Sequence, residues 1–297
     1  GGANYLIESN IRNDKVQIHL QAGLYATLNE EVVYFEMLGI GLHEIDSIAN
    51  KVNSIHFNRK VYTMENDVII NSPVNLYGAI SIDTESTTNS TVIDTNGNQF
   101  KIKSRNNIEN IMFYNGSSSF IDYPVLLVAG RCTIRNCCFY RLKNGLKIGR
   151  VASGDGGANA NWIENCSFIK CSEHGVIIGD DTNATFPDTN ACVLTNLDIR
   201  NVKVGIYVYN TIDCTINGCM IEFCDECGIK IGNNATGVNT RDNYIETAQS
   251  NAYAIRLVGN ASSNYINMAM AKSTTGWYDD SECTGNNNTV AYYDGQY

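Results

Sequence analysis

Hydrophobic residues in this chain recur in short alternating runs, and the runs themselves repeat every 23 to 30 residues. Each unit has an Ile/Leu-x-Asn-x-x-Phe/Ile block, first at 134–139, followed by a glycine and alternating apolar positions, first at 145–148. Further copies of the block begin at Ile163, Leu194 and Ile216, and a weaker one includes 243–245. A period of two predicts β-strands. Strands too short to bury a face alone predict stacked coils.

The repeat therefore predicts an all-β protein, a right-handed parallel β-helix with a short N-terminal capping helix. The helix is predicted at 43–52, where four apolar residues have helical spacing and would cover the open edge of the first coil: Ile45, Ile48, Ala49 and Val52. The predicted domains are an N-terminal segment with the capping helix at 1–53, the β-helix at 54–272, and an end coil or tail at 273–297.

Three features of the repeat predict how the coils turn and stay in register. The glycine before each alternating run suggests a turn with positive φ. The asparagines of the first three blocks, if stacked, would bond amide to amide along the axis: Asn136, Asn165 and Asn196. Charges two residues before the glycines alternate in sign and would place opposite charges on adjacent coils: Lys143, Glu173, Lys203 and Glu226.

The 11 cysteines follow the same register. One set falls at one position of the repeat: Cys137, Cys166 and Cys219. A second set falls at another: Cys132, Cys192 and Cys214. Repetition in register favours small apolar ladder residues over disulfides, and so predicts free buried thiols and folding in a reducing cytoplasm. The Cys-x-x-Cys at 224–227 lacks a second pair, which favours a structural role over zinc or redox chemistry.

Composition and residue spacing argue against several classes of partner and ligand. A formal net charge of −10 and the lack of a basic cluster argue against nucleic acid. No apolar run approaches the roughly 20 residues of a membrane span. No spacing of acidic residues, histidines or cysteines matches a metal site, and we predict neither a metal nor a cofactor.

The residues from Ile55 through Gly78 to Ile93 resemble the entry coils of the pectate-lyase-like β-helix superfamily, and the likeness extends over roughly 30–270. Together with the helix at 43–52, this entry most resembles bacteriophage tailspike proteins. The resemblance implies that three β-helices associate side by side as a homotrimer. It also implies a virion tail protein folded in the host cytoplasm, or an extracellular one if not viral, with a bacterial capsule or O-antigen polysaccharide as its partner.

Two consecutive coils have long loops after the same strand, at 150–161 and 180–190, which should stack on one edge and enclose a groove. The candidate catalytic residues are four carboxylates: Asp155, Asp180, Asp181 and Asp188. The candidate substrate-binding residues are Arg150, Trp162, His174 and Phe186. Because neighbours on an extended chain face opposite ways, a working pair would combine Asp180 or Asp181 with Asp155 or Asp188. The alternative for each aspartate is a turn residue that bonds its own backbone.

A secondary acidic group comprises Glu222, Asp225 and Glu226, for which a solvated charge ladder is the alternative.

Known active sites of the superfamily do not carry over. Trp162-Ile163-Glu164-Asn165 resembles the Trp-Ile-Asp-His of pectate lyases, with two of the four residues changed. The Gly-His-Gly and Asp-Asp motifs of polygalacturonases are only echoed at 173–175 and 179–181, in reversed order and without an Arg-Ile-Lys motif.

Two classes of function remain open at this stage. The first is a depolymerase that hydrolyses a bacterial surface polysaccharide through paired carboxylates, with a polysaccharide lyase as its enzymatic variant. The second is a non-catalytic adhesin or receptor-binding β-helix that uses the same groove or its tyrosine-rich faces without cleavage.

Overall fold

The structure is a computed structural model that describes residues 32–35, 41–80, 87, 89–182, 187–267, 270–273 and 276–291. It confirms the predicted parallel β-helix. Every strand pair in the described residues is parallel, and each strand pairs with its equivalent in the neighbouring coils.

Each coil contributes one strand to each of three faces. The first sheet contains Val32–Tyr34, Ser54–His56, Asn75–Tyr77, Asn107–Glu109, Thr133–Arg135, Trp162–Glu164, Val193–Thr195, Thr215–Asn217, Asn239–Arg241, Tyr265–Asn267 and Thr289–Ala291. The second contains Val61–Thr63, Val92–Asp94, Met112–Tyr114, Cys138–Tyr140, Ser167–Ile169, Tyr244–Thr247 and Met270–Lys272. The third contains Val68–Ile70, Phe100–Ile102, Val125–Leu127, Asn144–Ile148, His174–Ile178, Tyr253–Gly259 and Gly276–Cys283.

Two long strands, Asp198–Val208 and Met220–Ile231, run through both the second and the third sheet and join them. A small pair, Thr211–Ile212 and Ala235–Thr236, lies in the loops that return to the first sheet. The return loops after Gly149 and Gly179 are the long ones that the repeat predicted.

The core lies along the axis, where inward side chains of the three sheets meet. Phenylalanines of successive coils stack there: the ring centroids of Phe113 and Phe139 are 5.3 Å apart, and those of Phe139 and Phe168 are 4.6 Å apart. All three are fully buried. Offset stacking adds to the apolar area that each ring removes from water, so these rings hold adjacent coils in register.

The predicted N-terminal helix is present but shorter than 43–52. A 3-10 turn at Leu42–Glu44 leads into a one-turn α-helix at Asp46–Ala49. Ile45 and Ile48 are buried in the same core as the coils. The helical spacing of the apolar residues therefore identified the buried face correctly.

The predicted role of the repeat glycines is wrong. Gly145, Gly175 and Gly205 lie inside strands and do not have positive φ. Glycine is needed there for close approach, because a Cβ on Gly145 would lie 2.5 Å from the carbonyl oxygen of Gly175. The positive φ values belong instead to Gly149 (129°) and Gly179 (152°), at the start of the long loops.

The predicted amide ladder is also misplaced. Asn136, Asn165 and Asn196 are exposed corner residues with φ of 52–53°, a left-handed conformation that asparagine tolerates. Buried amides lie at a different corner. The side chain of Asn161 accepts from the backbone N–H of Cys132 at 2.8 Å and donates to the carbonyl of Ala129 at 2.9 Å. Buried amides thus satisfy backbone groups one coil away.

Ten of the 11 cysteines are buried, as the ladder interpretation predicted, and all are free thiols in this structure. The Sγ atoms of Cys137 and Cys166 each approach a carbonyl one coil back, at 3.7 and 3.6 Å. Burial raises the pKa of Cys224 to about 12 and that of Cys227 further, which fits a structural rather than a redox role for the Cys-x-x-Cys.

Of the charges that alternate along the repeat, only some form the predicted ion pairs between adjacent coils. Lys203 and Glu173 form the predicted ion pair between adjacent coils, with an N–O distance of 3.2 Å. Lys143 pairs instead with Asp122 at 2.5 Å, and Glu226 pairs with Lys230 on its own strand at 2.8 Å.

Strands Gly276–Cys283 and Thr289–Ala291, from the segment predicted as an end coil or tail, pair with the coils before them. The domain boundaries themselves stay a prediction. None of the described helices is long and apolar enough to cross a membrane.

Candidate active site

The two long loops lie side by side, as predicted. The backbone N–H of Asp181 donates to the carbonyl of Arg150 at 2.8 Å, and that of Ala160 donates to the carbonyl of Asn190 at 2.9 Å. Phe186 lies outside the described residues, so its predicted contact with sugar stays a prediction.

Asp180 is fully buried between these loops and is surrounded by donors. One carboxylate oxygen accepts from the backbone N–H of Arg150 at 2.8 Å and from the hydroxyl of Thr189 at 2.5 Å. The other accepts from the backbone N–H of Asp188 at 2.7 Å and lies 3.4 Å from the Arg150 guanidinium. The Asp180 carboxylate therefore bonds to three residues of the two loops, Arg150, Asp188 and Thr189.

Asp155 and Asp188 also have cationic partners. Lys101 binds Asp155 at 2.5 Å, and Arg150 binds Asp188 at 2.5 Å. Burial alone would raise the pKa of Asp155, but Lys101 and two backbone N–H groups hold it below its usual value. Asp155 is therefore suited to remain ionised and not to donate a proton. Neither Asp155 nor Asp188 lines the groove described next.

A groove of about 370 Å³ lies on the outer face of the third sheet, beside the segment that connects Met112–Tyr114 to Val125–Leu127. It is lined by Asp122, Tyr123, Lys143, Asn144, Glu173, His174, Ile177, Tyr207 and Tyr209. Four consecutive coils contribute to this lining. The aromatic rings are the kind of surface on which sugar rings stack, and the polar groups among them can fix orientation.

Asp181 meets three of its neighbours at one end of the groove. Its Oδ2 accepts from the hydroxyl of Tyr123 at 3.0 Å, and its Oδ1 accepts from the hydroxyl of Tyr209. The ammonium of Lys147, which is fully buried, binds Oδ1 at 2.9 Å and donates to the Tyr209 hydroxyl. The Lys147 ammonium also lies 4.5 Å from the centroid of the Tyr209 ring. The four side chains form a connected proton network.

The electrostatics of this network follow from burial and from Asp181. Burial lowers the pKa of Lys147, while the nearby Asp181 carboxylate opposes that shift. Burial and the Asp181 carboxylate both raise the pKa values of Tyr123 and Tyr209. Both phenols therefore carry their protons at neutral pH, and Tyr209 is a proton donor held between a cation and an anion.

His174, which lines the groove beside Tyr207, has a defined tautomer. The side-chain amide of Asn144 donates to the carbonyl of Asp122 at 2.6 Å, so its Oδ1 faces His174 Nδ1 at 2.8 Å. Nδ1 must carry the hydrogen in this contact, which leaves the Nε2 lone pair as a base. Burial lowers the pKa of His174 to about 4, and the ring stacks on Tyr207 with centroids 5.6 Å apart.

The remaining predicted residues lie elsewhere. Trp162 is exposed on the first sheet, away from the strands that line the groove. Glu222 lies 3.8 Å from Arg200, Asp225 accepts from Gln249 at 3.2 Å, and Glu226 pairs with Lys230. These contacts are those of a surface charge ladder.

Sequence reasoning missed Lys147, Tyr209, Tyr123 and Asn144. One signal was available: Lys147 pairs in register with Ile177 and then Tyr207, outward positions of strands whose other residues face the core. Tyr209 follows two residues later on the same face. Outward residues that alternate with a buried row predict a shared surface.

No protein-family model matches the sequence, and comparison with curated proteins finds no significant match. Among solved structures, the surface protein and adhesin PfbA of Streptococcus pneumoniae matches with a TM-score of 0.54 at 13% identity, over 86% of this chain and 93% of that one. This likeness shows the fold, a parallel β-helix. An alginate lyase from Paenibacillus sp. str. FPU-7 matches with a TM-score of 0.40 at 14% identity, over 86% of this chain and 91% of that one. The tailspike of Acinetobacter baumannii phage AM24 matches at 0.45 and 12% identity, over 87% of this chain and 54% of that one. At these identities the likeness concerns the fold.

Proposed function

We propose that this β-helix protein binds an acidic bacterial surface polysaccharide in the groove and cleaves it there by elimination. The observation that carries the proposal is the presence, in one groove, of a neutral histidine base and a protonated tyrosine on either side of the Tyr207 ring, whose centroid lies 5.6 Å from that of His174 and 4.8 Å from that of Tyr209. His174 presents Nε2 as a base, and Tyr209 presents a hydroxyl positioned by Lys147 and Asp181. Proton transfer by positioned groups of this kind contributes about 10²–10⁴-fold to rate.

In the proposed reaction, His174 takes the proton on the sugar carbon next to the uronate carboxylate. The electron pair of that C–H bond forms the new double bond, and the glycosidic C–O bond on the adjacent carbon breaks. The Tyr209 hydroxyl, which donates to Asp181 in the free protein, turns to give its proton to the departing oxygen, and the Lys147 ammonium stabilises the phenolate that remains. Lys143, on the groove wall, would exchange its exposed partner Asp122, now 2.5 Å away, for the substrate carboxylate.

Hydrolysis by two carboxylates is the second candidate, because Asp122 and Glu173 line the groove and Asp181 accepts a hydrogen bond from its lining residue Tyr123. Glycoside hydrolysis needs one carboxyl group to donate a proton and the other to attack or to activate water. The pairs predicted from the sequence, Asp180 or Asp181 with Asp155 or Asp188, stay a prediction. The structure favours elimination because Asp155 and Asp188 are bound by cations outside the groove.

The biological setting is a further part of the proposal. The entry coils around 55–93 support a tailspike-like depolymerase that acts on capsule or O-antigen. Such a protein would assemble as a homotrimer and be carried on a virion tail, or would be extracellular if not viral.

The proposal is tested by incubating the protein with capsule and O-antigen polysaccharides and following polymer size and ultraviolet absorbance. We expect shortening with the absorbance of unsaturated uronates. His174→Gln keeps a hydrogen-bonding group beside Asn144 but removes the base, so cleavage should fall about 10²–10⁴-fold. His43→Gln, at an exposed position in the N-terminal helix, is the matched control. Shortening without the absorbance would favour hydrolysis, and binding without shortening would favour an adhesin.

A second prediction concerns pH. Because burial lowers the pKa of His174 to about 4, the base stays neutral as pH falls from 7 to about 5, and kcat/KM should be level over that range. It should decline once His174 becomes protonated near pH 4. The unfolded chain takes up this proton near pH 6.5, so His174 lowers stability progressively as pH falls from 6.5 to 4. Circular dichroism at each pH separates the two effects. A decline of kcat/KM centred near pH 6.5 with the fold intact would contradict the assignment.

A further inference from the structure

The corner between the second and third sheets has unusual residues at a left-handed position. In four consecutive coils the residue that follows the second-sheet pairing, between the second-sheet and third-sheet portions of the chain, has φ of 55–56°: Arg141, Lys170, Asn201 and Phe223. This conformation costs non-glycine residues about 1–2 kcal/mol, with asparagine the best tolerated. The neighbouring corner uses asparagine in four successive coils, whereas this one uses arginine, lysine and phenylalanine in three of its four. Such a choice points to a use for the side chains.

The two cations of this corner are displayed on an aromatic surface. Tyr114 and Tyr140 occupy equivalent outward positions of the second sheet and stack with centroids 5.9 Å apart and planes 20° apart. The Arg141 guanidinium lies 5.9 Å from the centroid of the Tyr114 ring, and the Lys170 ammonium lies 5.6 Å from that of Tyr140. Each cation reaches back by one coil. Arg141 and Lys170 are both exposed to solvent.

The corner patch consists of four side chains: Arg141, Lys170, Tyr114 and Tyr140. It places two like charges on adjacent coils, about 4.8 Å apart in backbone spacing, on a chain with a net charge of −10. An acidic polymer that follows this corner along the axis would meet both cations in succession.

The corner patch continues from the groove. Lys143 lines the groove and lies only two residues beyond Arg141 on the same turn. A polymer that leaves the groove at Lys143 would next meet Arg141. We propose that the corner patch is a second binding site for acidic polysaccharide, which holds the polymer outside the groove by its carboxylate, sulfate or phosphate groups and stacks sugar rings on the tyrosines. The identity of the ligand as a polysaccharide rests on the proposed function.

The test compares three proteins for binding to polygalacturonate, alginate and neutral dextran at low and high salt. Arg141→Ala with Lys170→Ala removes both cations of the patch. Arg59→Ala with Lys103→Ala removes the same charge from exposed positions elsewhere. We expect the corner variant to bind the acidic polymers about tenfold more weakly or worse, with less salt dependence, since each charge-assisted contact is lost. The control should bind as the wild type does, and dextran should distinguish none of them.

Cleavage assays distinguish a failure of this inference from a failure of the proposed function. The corner variant should keep the kcat of the wild type on oligosaccharides short enough to occupy only the groove, and should show a raised KM on the polymer. Equal losses of affinity in the corner and control variants, or no loss in either, would overturn the inference whatever the activity. Corner-dependent binding by a protein that cleaves nothing would support the inference and refute the proposed function.

Discussion

Replacing Asp180 with alanine is expected to lower the free energy of unfolding by about 3–5 kcal/mol, the range for breaking a buried ion pair from one side. The carboxylate is fully buried. Its removal leaves the Arg150 guanidinium without this partner, together with two backbone N–H groups and the Thr189 hydroxyl. Chemical denaturation followed by circular dichroism measures the loss.

Asp188→Ala is the control for this prediction. Its side chain is 55% exposed and pairs with the same arginine, so its loss should cost about 1 kcal/mol or less. If Asp180→Ala kept full stability but lost cleavage, Asp180 would have a chemical role that its enclosure between the loops does not suggest.

Tyr209→Phe is expected to reduce kcat by about 10²–10⁴-fold with little change in fold, because the variant keeps the ring and loses only the hydroxyl that donates the proton. The Lys147 ammonium keeps its bond to Asp181 in this variant. Steady-state kinetics on the polysaccharide identified by the cleavage assay give kcat and KM separately, and the reduction should lie in kcat.

Tyr207→Phe provides the comparison on the same strand. Its ring stacks on His174, and the phenylalanine ring preserves that contact. Its loss of activity should therefore be at least an order of magnitude smaller than that of Tyr209→Phe. Similar losses in both variants would indicate that the groove recognises substrate through both hydroxyls and that Tyr209 is not the proton donor.

Much of the fold was predictable because a solenoid repeats its sequence pattern with its geometry. The spacing of Ile134, Ile163 and Leu194 predicted strands that do pair in register. The glycines were misread for a physical reason. Glycine serves both where φ must be positive and where a neighbouring backbone leaves no room for a Cβ, and a sequence pattern does not distinguish the two uses.

The candidate site was predictable only in part. The alternation argument placed Asp180 and Asp181 on opposite sides, and the structure has Asp180 enclosed between the loops while Asp181 faces the tyrosines. The partners of Asp181 come from three other places in the chain, at 123, 147 and 209. Their convergence depends on the length of each intervening turn and on the orientation of the 115–124 segment, which residue spacing alone does not determine.

The position of the groove along the axis determines how well it withstands local unfolding. The strands of each described coil pair only with those of the coil before it and the coil after it, so thermal opening of such a molecule starts at its ends and advances inward, coil by coil. The groove draws on coils between Asp122 and Tyr209, with strands from Ser54–His56 to Phe100–Ile102 on one side and from Thr215–Asn217 to Thr289–Ala291 on the other. Several outer coils can therefore unfold locally at either end while the residues of the groove keep their positions.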